Sequence, residues 1–182
     1  MSVVIGRSVS AALAIMLLAA CGDDAASAEG DSAWKSLAVD CPALTAPAFA
    51  GLSAGPASEK IDKAEVLSTV CAYGTPGQGP AVVTQVQIDR VEGVVDSATD
   101  RVRNSRTYAE GKESPVITLE GFESEAVAIA DGTGAFEAST SSGNGYVSVL
   151  VQLEQPVITE AELTAQSEAL AQSLRDHLSN LR

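Results

Sequence analysis

Histidine is the scarcest reactive side chain of this sequence: His177 is the only one among 182 residues. The chain accordingly has no His-Glu zinc motif. It also lacks a Gly-x-Ser-x-Gly elbow and a phosphate loop. A lone histidine in the last turns of a terminal helix is expected to be a cap or a surface residue rather than a general base. Aromatic residues make up only 4% of the chain, so the core must be built from Val, Leu, Ile and Ala. Cations are also few, with 11 Lys and Arg against 24 Asp and Glu and a formal net charge of -13. Such a surface repels nucleic acid and anionic lipid headgroups. No nucleic-acid partner is expected, and no cofactor. Beyond the first 20 residues no stretch is long and apolar enough to span a bilayer.

What the chain does have is 46% hydrophobic residues, enough for a packed core and for one domain of ordinary size. Residues 1–20 read as a secretory signal, with Arg7 followed by the apolar segment Ser8 to Ala20. Its end, Leu18-Ala19-Ala20-Cys21, resembles a bacterial lipobox. The resemblance implies that Cys21 receives a diacylglyceryl thioether and becomes the N-terminus after cleavage. Two acyl chains hold a protein durably where one would be marginal. The alternative is an ordinary signal peptide with a cysteine near its cut. Removal of Arg7 with the leader makes the mature chain one unit more negative. Residues 21–33 are small, acidic and aperiodic, which predicts a flexible tether. A single domain over residues 34–182 should begin near Trp34.

Three cysteines would leave an odd thiol in an exported chain. With Cys21 lipidated, Cys41 and Cys71 remain and admit one pairing, which export makes chemically sensible. In the chain-entropy model that loop closure stabilises by roughly 3–4 kcal/mol. A redox pair or a two-cysteine metal site would call for C-x-x-C spacing or neighbouring histidines, and neither is present.

The periodicity predicts an α+β domain: an antiparallel sheet with helices packed on one side, including a C-terminal amphipathic helix. A short helix is expected in the segment from Cys41 to Leu52. A strand carrying Cys71 should present Leu67, Cys71 and Tyr73 on one side. A second strand with Val82, Thr84, Val86 and Ile88 on one face completes a hairpin. In the following segment Val91, Val94, Val95, Ala98 and Val102 share a helical face. Arg101, Arg103 and Arg106 crowd its end, where cations suit the helix dipole better than they suggest an anion site. A short strand follows at Ser114 to Glu120. Gly143-Asn144-Gly145 predicts a hairpin, with both Asn144 and Gly145 tolerating positive φ. Val147, Val149, Val151 and Leu153 form its core row, with Tyr146, Ser148, Leu150 and Gln152 opposite. Thr159 and Glu162 make a capping box for a last helix, whose stripe is Leu163, Leu170, Leu174, Leu178 and Leu181.

The order of these features, with the segment Gly121-Phe122-Glu123-Ser124-Glu125-Ala126, resembles the paired-cysteine lipoproteins of unknown function found in actinobacteria. In that family a Gly-Leu-Gly-Asp-Glu-Ala-like segment occupies this place, and the first glycine and the Glu-Ala pair match. The resemblance covers residues 35 to 182. It implies an α+β fold and a location at the outer face of the plasma membrane, and it carries over no catalytic residues.

Chemical alternatives are thin. Glu123 and Glu125 would share a face only on a strand, and an acidic chain produces such pairs by chance. The Asp131-Gly132-Thr133 segment hints at a calcium loop but lacks the regularly spaced oxygen donors one needs. No metal site is expected. The sequence therefore predicts a non-catalytic, lipid-anchored envelope protein, bound to the membrane through Cys21. It would bind a small ligand, a wall component or an envelope protein. The second possibility is an accessory or sensory subunit, similar to the extracellular domains of some actinobacterial receptor kinases. An undetected hydrolase ranks third.

Overall fold

The computed structural model describes residues 34–38, 40–55, 59–75, 80–91, 97–130, 134–152 and 159–182. The signal segment, Cys21 and the tether lie outside the described residues, as do Val94, Val95, Asp131 to Thr133 and Leu153.

The described chain is α+β, an antiparallel sheet with two helices, the second of them C-terminal. Its strands are β1 (Ser53–Ala54), β2 (Glu59–Asp62), β3 (Val66–Gly74), β4 (Pro80–Asp89), β5 (Val116–Thr118), β6 (Ala126–Ala130), β7 (Ala135–Ser142) and β8 (Gly145–Gln152). They lie in the order β1-β3-β4-β8-β7-β6-β5, with β2 also paired to β3. Helix α1 spans Ala98–Gly111 and α2 spans Glu160–Leu178. In the segment after Cys41 the expected helix reduces to one 3₁₀ turn, Pro47–Phe49, which buries Phe49. Pro42 and Pro47 bracket too few residues to propagate an α-helix.

Period-two alternation sorts the sheet into two faces. On one face, Leu67, Cys71, Tyr73, Val82, Val86, Ile88, Val147, Val149 and Val151 pack with Leu163, Leu170 and Leu174 of α2. Ala126, Ala128, Ala130 and Ala138 keep that face shallow where α2 lies against β6 and β7. On the other face, Val127, Ile129 and Tyr146 pack with Ala98, Val102 and Ala109 of α1. The helices therefore cover opposite faces, whereas the sequence placed them on one side. The all-apolar run Ala126–Ala130 is buried throughout, because a strand between two helices has no polar side.

The β7–β8 turn is Gly143-Asn144, closing the Ser142–Gly145 pair. Only Gly143 has positive φ, at 53°. Asn144 is needed for its amide instead: Nδ2 donates to Asp89 O at 2.8 Å and to Trp34 O at 3.1 Å. Gly145 serves close approach, since a Cβ there would stand 2.8 Å from Leu181 Cδ1. The expected capping box is present, with Thr159 Oγ1 accepting from Glu162 N and Thr159 N donating to the Glu162 carboxylate.

Helix α1 departs from its prediction at both ends. Ser97 caps it, so Val91 lies outside the helix and is 48% exposed. The helix runs on past Arg106 to Gly111, because Tyr108, Ala109 and Glu110 give it no reason to stop. It ends where Ser114 N donates to Ala109 O and Glu113 N to Glu110 O, a Schellman arrangement with Glu113 at φ 56°.

Candidate functional site

Two polar constellations stand on the two faces of the sheet. The first centres on His177, which is fully buried rather than at the surface. It occupies the α2 stripe at three residues from Leu174 and seven from Leu170, a position that helical spacing alone makes core-facing. Its Nδ1 lies 2.8 Å from Ser173 O, an acceptor only, so Nδ1 carries the proton. Nε2 is then an acceptor, 2.7 Å from Thr84 Oγ1 and 3.1 Å from the Tyr73 hydroxyl. Tyr73 donates to Pro42 O at 2.8 Å, which leaves Thr84 as the donor to the ring. Burial lowers the His177 pKa, against smaller opposing effects of the Ser173 carbonyl and Asp176. The same burial pushes Tyr73 up to about 12.

This network ties the N-terminal segment to α2. Beside it, Thr45 donates both its N–H and its hydroxyl to the Asp176 carboxylate. The disulfide Cys41–Cys71 joins the same segment to β3. Further on, Lys35 N and Ser36 N donate to Arg182 O, and Leu37 bridges to Leu181. With both ring nitrogens engaged and no exposed edge, His177 is a structural element of the core in this arrangement.

The second constellation lies on the α1 face. Arg101 reaches Asp89 at 2.6 Å, and its guanidinium stands 5.0 Å from the centre of the Tyr146 ring. From Asp89 a ladder of side-chain bonds runs across β4 to β3. Gln87 Nε2 donates to Asp89 at 2.9 Å, Gln85 Nε2 to Gln87 at 3.2 Å and to Ser68 Oγ at 3.4 Å. Gln85, Gln87 and their neighbours Val70, Val83, Ser148 and Leu150 are all partly exposed. Helix α1 packs over β5 to β8, so β3 and β4 extend past it on this face. Beneath the helix, Tyr146 has a raised pKa, first through burial and next through Glu137, while the Ser148 and Ser139 hydroxyls lower it.

The arginines read as one cluster at a helix end are dispersed instead. Arg101 goes to β4, Arg103 pairs with Asp100 at 2.8 Å, and Arg106 Nε meets Glu125 at 2.7 Å. Glu123 and Glu125 lie in the β5–β6 loop, not on a strand, and Glu125 is committed to Arg106. In that loop Phe122 lies under Arg175 of α2, at 5.3 Å. The segment from Gly121 to Ala126 thus links both helices around one end of the sheet. Among the described residues no group of three or more His, Cys, Asp or Glu is placed to hold a metal ion. No helix among them is long and apolar enough to cross a membrane.

The sequence pointed to Cys41, Cys71 and the core rows. It missed the His177 network and the glutamine ladder, although alternation already put Thr84 among core valines and Gln85 and Gln87 together on the opposite face. Comparison with known protein families, curated proteins and solved structures finds no match.

Proposed function

We propose that this chain is a non-catalytic, lipid-anchored protein of the bacterial cell envelope, with Cys21 as its anchor. Its binding surface is the part of the sheet beside α1. The reading of residues 1–21 as signal and lipobox supports the anchor. The Cys41–Cys71 disulfide is in keeping with an oxidising compartment outside the plasma membrane. The resemblance to the paired-cysteine lipoproteins points the same way.

One observation carries the binding reading: the ladder Ser68–Gln85–Gln87–Asp89–Arg101, whose amide groups are partly exposed and held in register by one another. Polar groups already fixed by neighbours lose little conformational freedom when a ligand or partner arrives. The His177 network supports the non-catalytic part, because both of its nitrogens serve the core.

Native mass spectrometry of the protein extracted gently from its own membranes tests both parts. The chain should begin at a diacylated Cys21. Any bound mass should be diminished by the pair Gln85→Ala and Gln87→Ala. A Cys21→Ser protein that still fractionates with membranes at mature size overturns the anchor. A bound mass untouched by the glutamine substitutions overturns the surface.

A further inference from the structure

If Cys21 is held in lipid, the side of the domain that meets the membrane depends on where the chain enters the fold. That entry point is well defined. Trp34 N donates to Asn144 Oδ1 at 2.7 Å, and its indole Nε1 donates to Ser142 O at 2.9 Å. The first described residue is therefore clamped to the β7–β8 turn. Several other segments meet at this end of the sheet. Asp89 N donates to Asn144 O, Arg90 N donates to Glu65 O in the β2–β3 turn, and Arg182 joins Ser36.

We infer that this turn end of the sheet docks on the lipid surface, leaving the opposite end and both sheet faces turned outward. The inference rests on the Cys21 anchor proposed above. Its first support is reach. Twelve residues separate Cys21 from Trp34, and fully extended they bridge at most about 45 Å. A domain of this size is about 40 Å across. Turning the far end to the membrane would require a nearly taut chain, and its lost conformational entropy opposes that arrangement.

The second support is the chemistry of this end. Trp34 is the only tryptophan of the chain, partly exposed and hydrogen-bonded through its indole. Amphipathic rings of this kind favour the headgroup region. Val91, which follows β4, is one of two large apolar side chains with high exposure among the described residues, at 48%. Lys35, Lys63, Arg90 and Arg182 are exposed here, against the exposed carboxylates of Asp62 and Glu65 and, in the β5–β6 loop at the same end, of Glu120, Glu123 and Glu125. Arg90 is paired with Asp62 at 2.6 Å. With Glu125 paired to Arg106, the local balance is near neutral, in a chain whose net charge is -13. An acidic domain meets phosphate headgroups with least repulsion at such an end.

The opposite end differs. Ala130 N donates to Pro115 O, so the segment after α1 lies by the far end of β6, and Lys112 and the 70% exposed Tyr108 lie with it. The four lysines therefore form a natural ruler: Lys35 and Lys63 near the turn end, Lys60 midway along β2, Lys112 at the far end.

The test uses the lipidated full chain in phosphatidylcholine vesicles and the same chain in detergent, both treated briefly with a membrane-impermeant acetylating reagent. Peptide mass spectrometry then gives the labelling rate at each lysine. Docking predicts several-fold slower labelling of Lys35 and Lys63 in vesicles, a smaller effect at Lys60 and none at Lys112. Equal rates at all four, or strongest protection at Lys112, overturns the orientation while leaving the anchor intact. Failure of the protein to float with the vesicles overturns the anchor itself, and the orientation with it.

Discussion

The two faces of one sheet are held by different chemistry. Under α2, a disulfide, a buried histidine network and a capping box join the N-terminal segment, the sheet and the 19-residue helix. Under α1, a 14-residue helix is capped by Ser97, whose Oγ accepts from Asp100 N, and ends on a non-glycine residue at positive φ. Its polar contacts are ion pairs that solvent partly reaches. The contrast teaches that one polar bond can differ in worth across a single strand's thickness. A hydrogen bond in a dry interface is costly to leave unmade, whereas a half-exposed pair exchanges readily with water. The α2 face is therefore built for permanence, and the α1 face is the more easily remodelled of the two.

The largest way to break this contrast is to remove the staple. Replacing Cys41 and Cys71 together by alanine opens a loop of sequence separation 30, and the chain-entropy model assigns its closure about 3–4 kcal/mol. The expected result is a fall in Tm on the order of 10 °C. Hydrogen exchange should rise first in residues 40–50, with α1 little changed. A loss below about 1 kcal/mol would mean that the α2 face does not depend on its covalent link.

Next in size is the histidine network. Thr84→Val removes the donor to His177 Nε2 while keeping the shape, and should cost about 1–3 kcal/mol in urea unfolding. A pH series tests the ring itself. Its folded pKa is lowered by burial from 6.5, so the unfolded chain takes up a proton near 6.5 and the folded chain only at lower pH. Stability from this group is complete above pH 6.5 and is lost as pH falls below it, levelling off once the folded pKa is passed. The wild type should lose more stability than His177→Gln between pH 7.5 and 5.5. Parallel pH profiles for the two proteins would show that the ring is not held neutral.

On the other face the matching experiment should give less. Asp89→Asn weakens the 2.6 Å pair with Arg101, in which the Arg101 side chain is 23% and the Asp89 side chain 10% exposed. We expect a cost of about 1 kcal/mol or less, shrinking further in molar salt. A loss as large as that of Thr84→Val would erase the distinction between the faces.

This division was only partly legible in the sequence. Alternation exposed Val82, Thr84, Val86 and Ile88 as one row, and the Thr159–Glu162 box set the start of α2, because both signals are local. Long-range partners are not local, and they decided the rest. His177 looks like a surface residue until Tyr73 and Thr84, from two other strands, close over it. Arg101, Arg103 and Arg106 look like one cluster until the helix is known to continue. Which face a helix covers depends on the handedness of its connections, which residue spacing does not encode. The α1 boundary was misplaced for a further reason: Gly111 stands inside the helix, and the residue that needs left-handed backbone is Glu113.

That misplacement yields the smallest prediction, and the only one of opposite sign. In the Schellman ending of α1, glycine is preferred at the position Glu113 holds, since its missing Cβ removes the strain of φ 56°. Gly111 has ordinary helical φ, and a Cβ placed there meets nothing within 4 Å. Exchanging the two requirements, with Glu113→Gly and Gly111→Ala, should therefore stabilise by about 0.5–1 kcal/mol each. The gain should appear as slower amide exchange at the end of α1, while α2 keeps its wild-type rates, because the two helices pack on opposite faces of the sheet. If α2 slows equally, the faces unfold as one unit, and the weaker hold on α1 is not a separate property of its face.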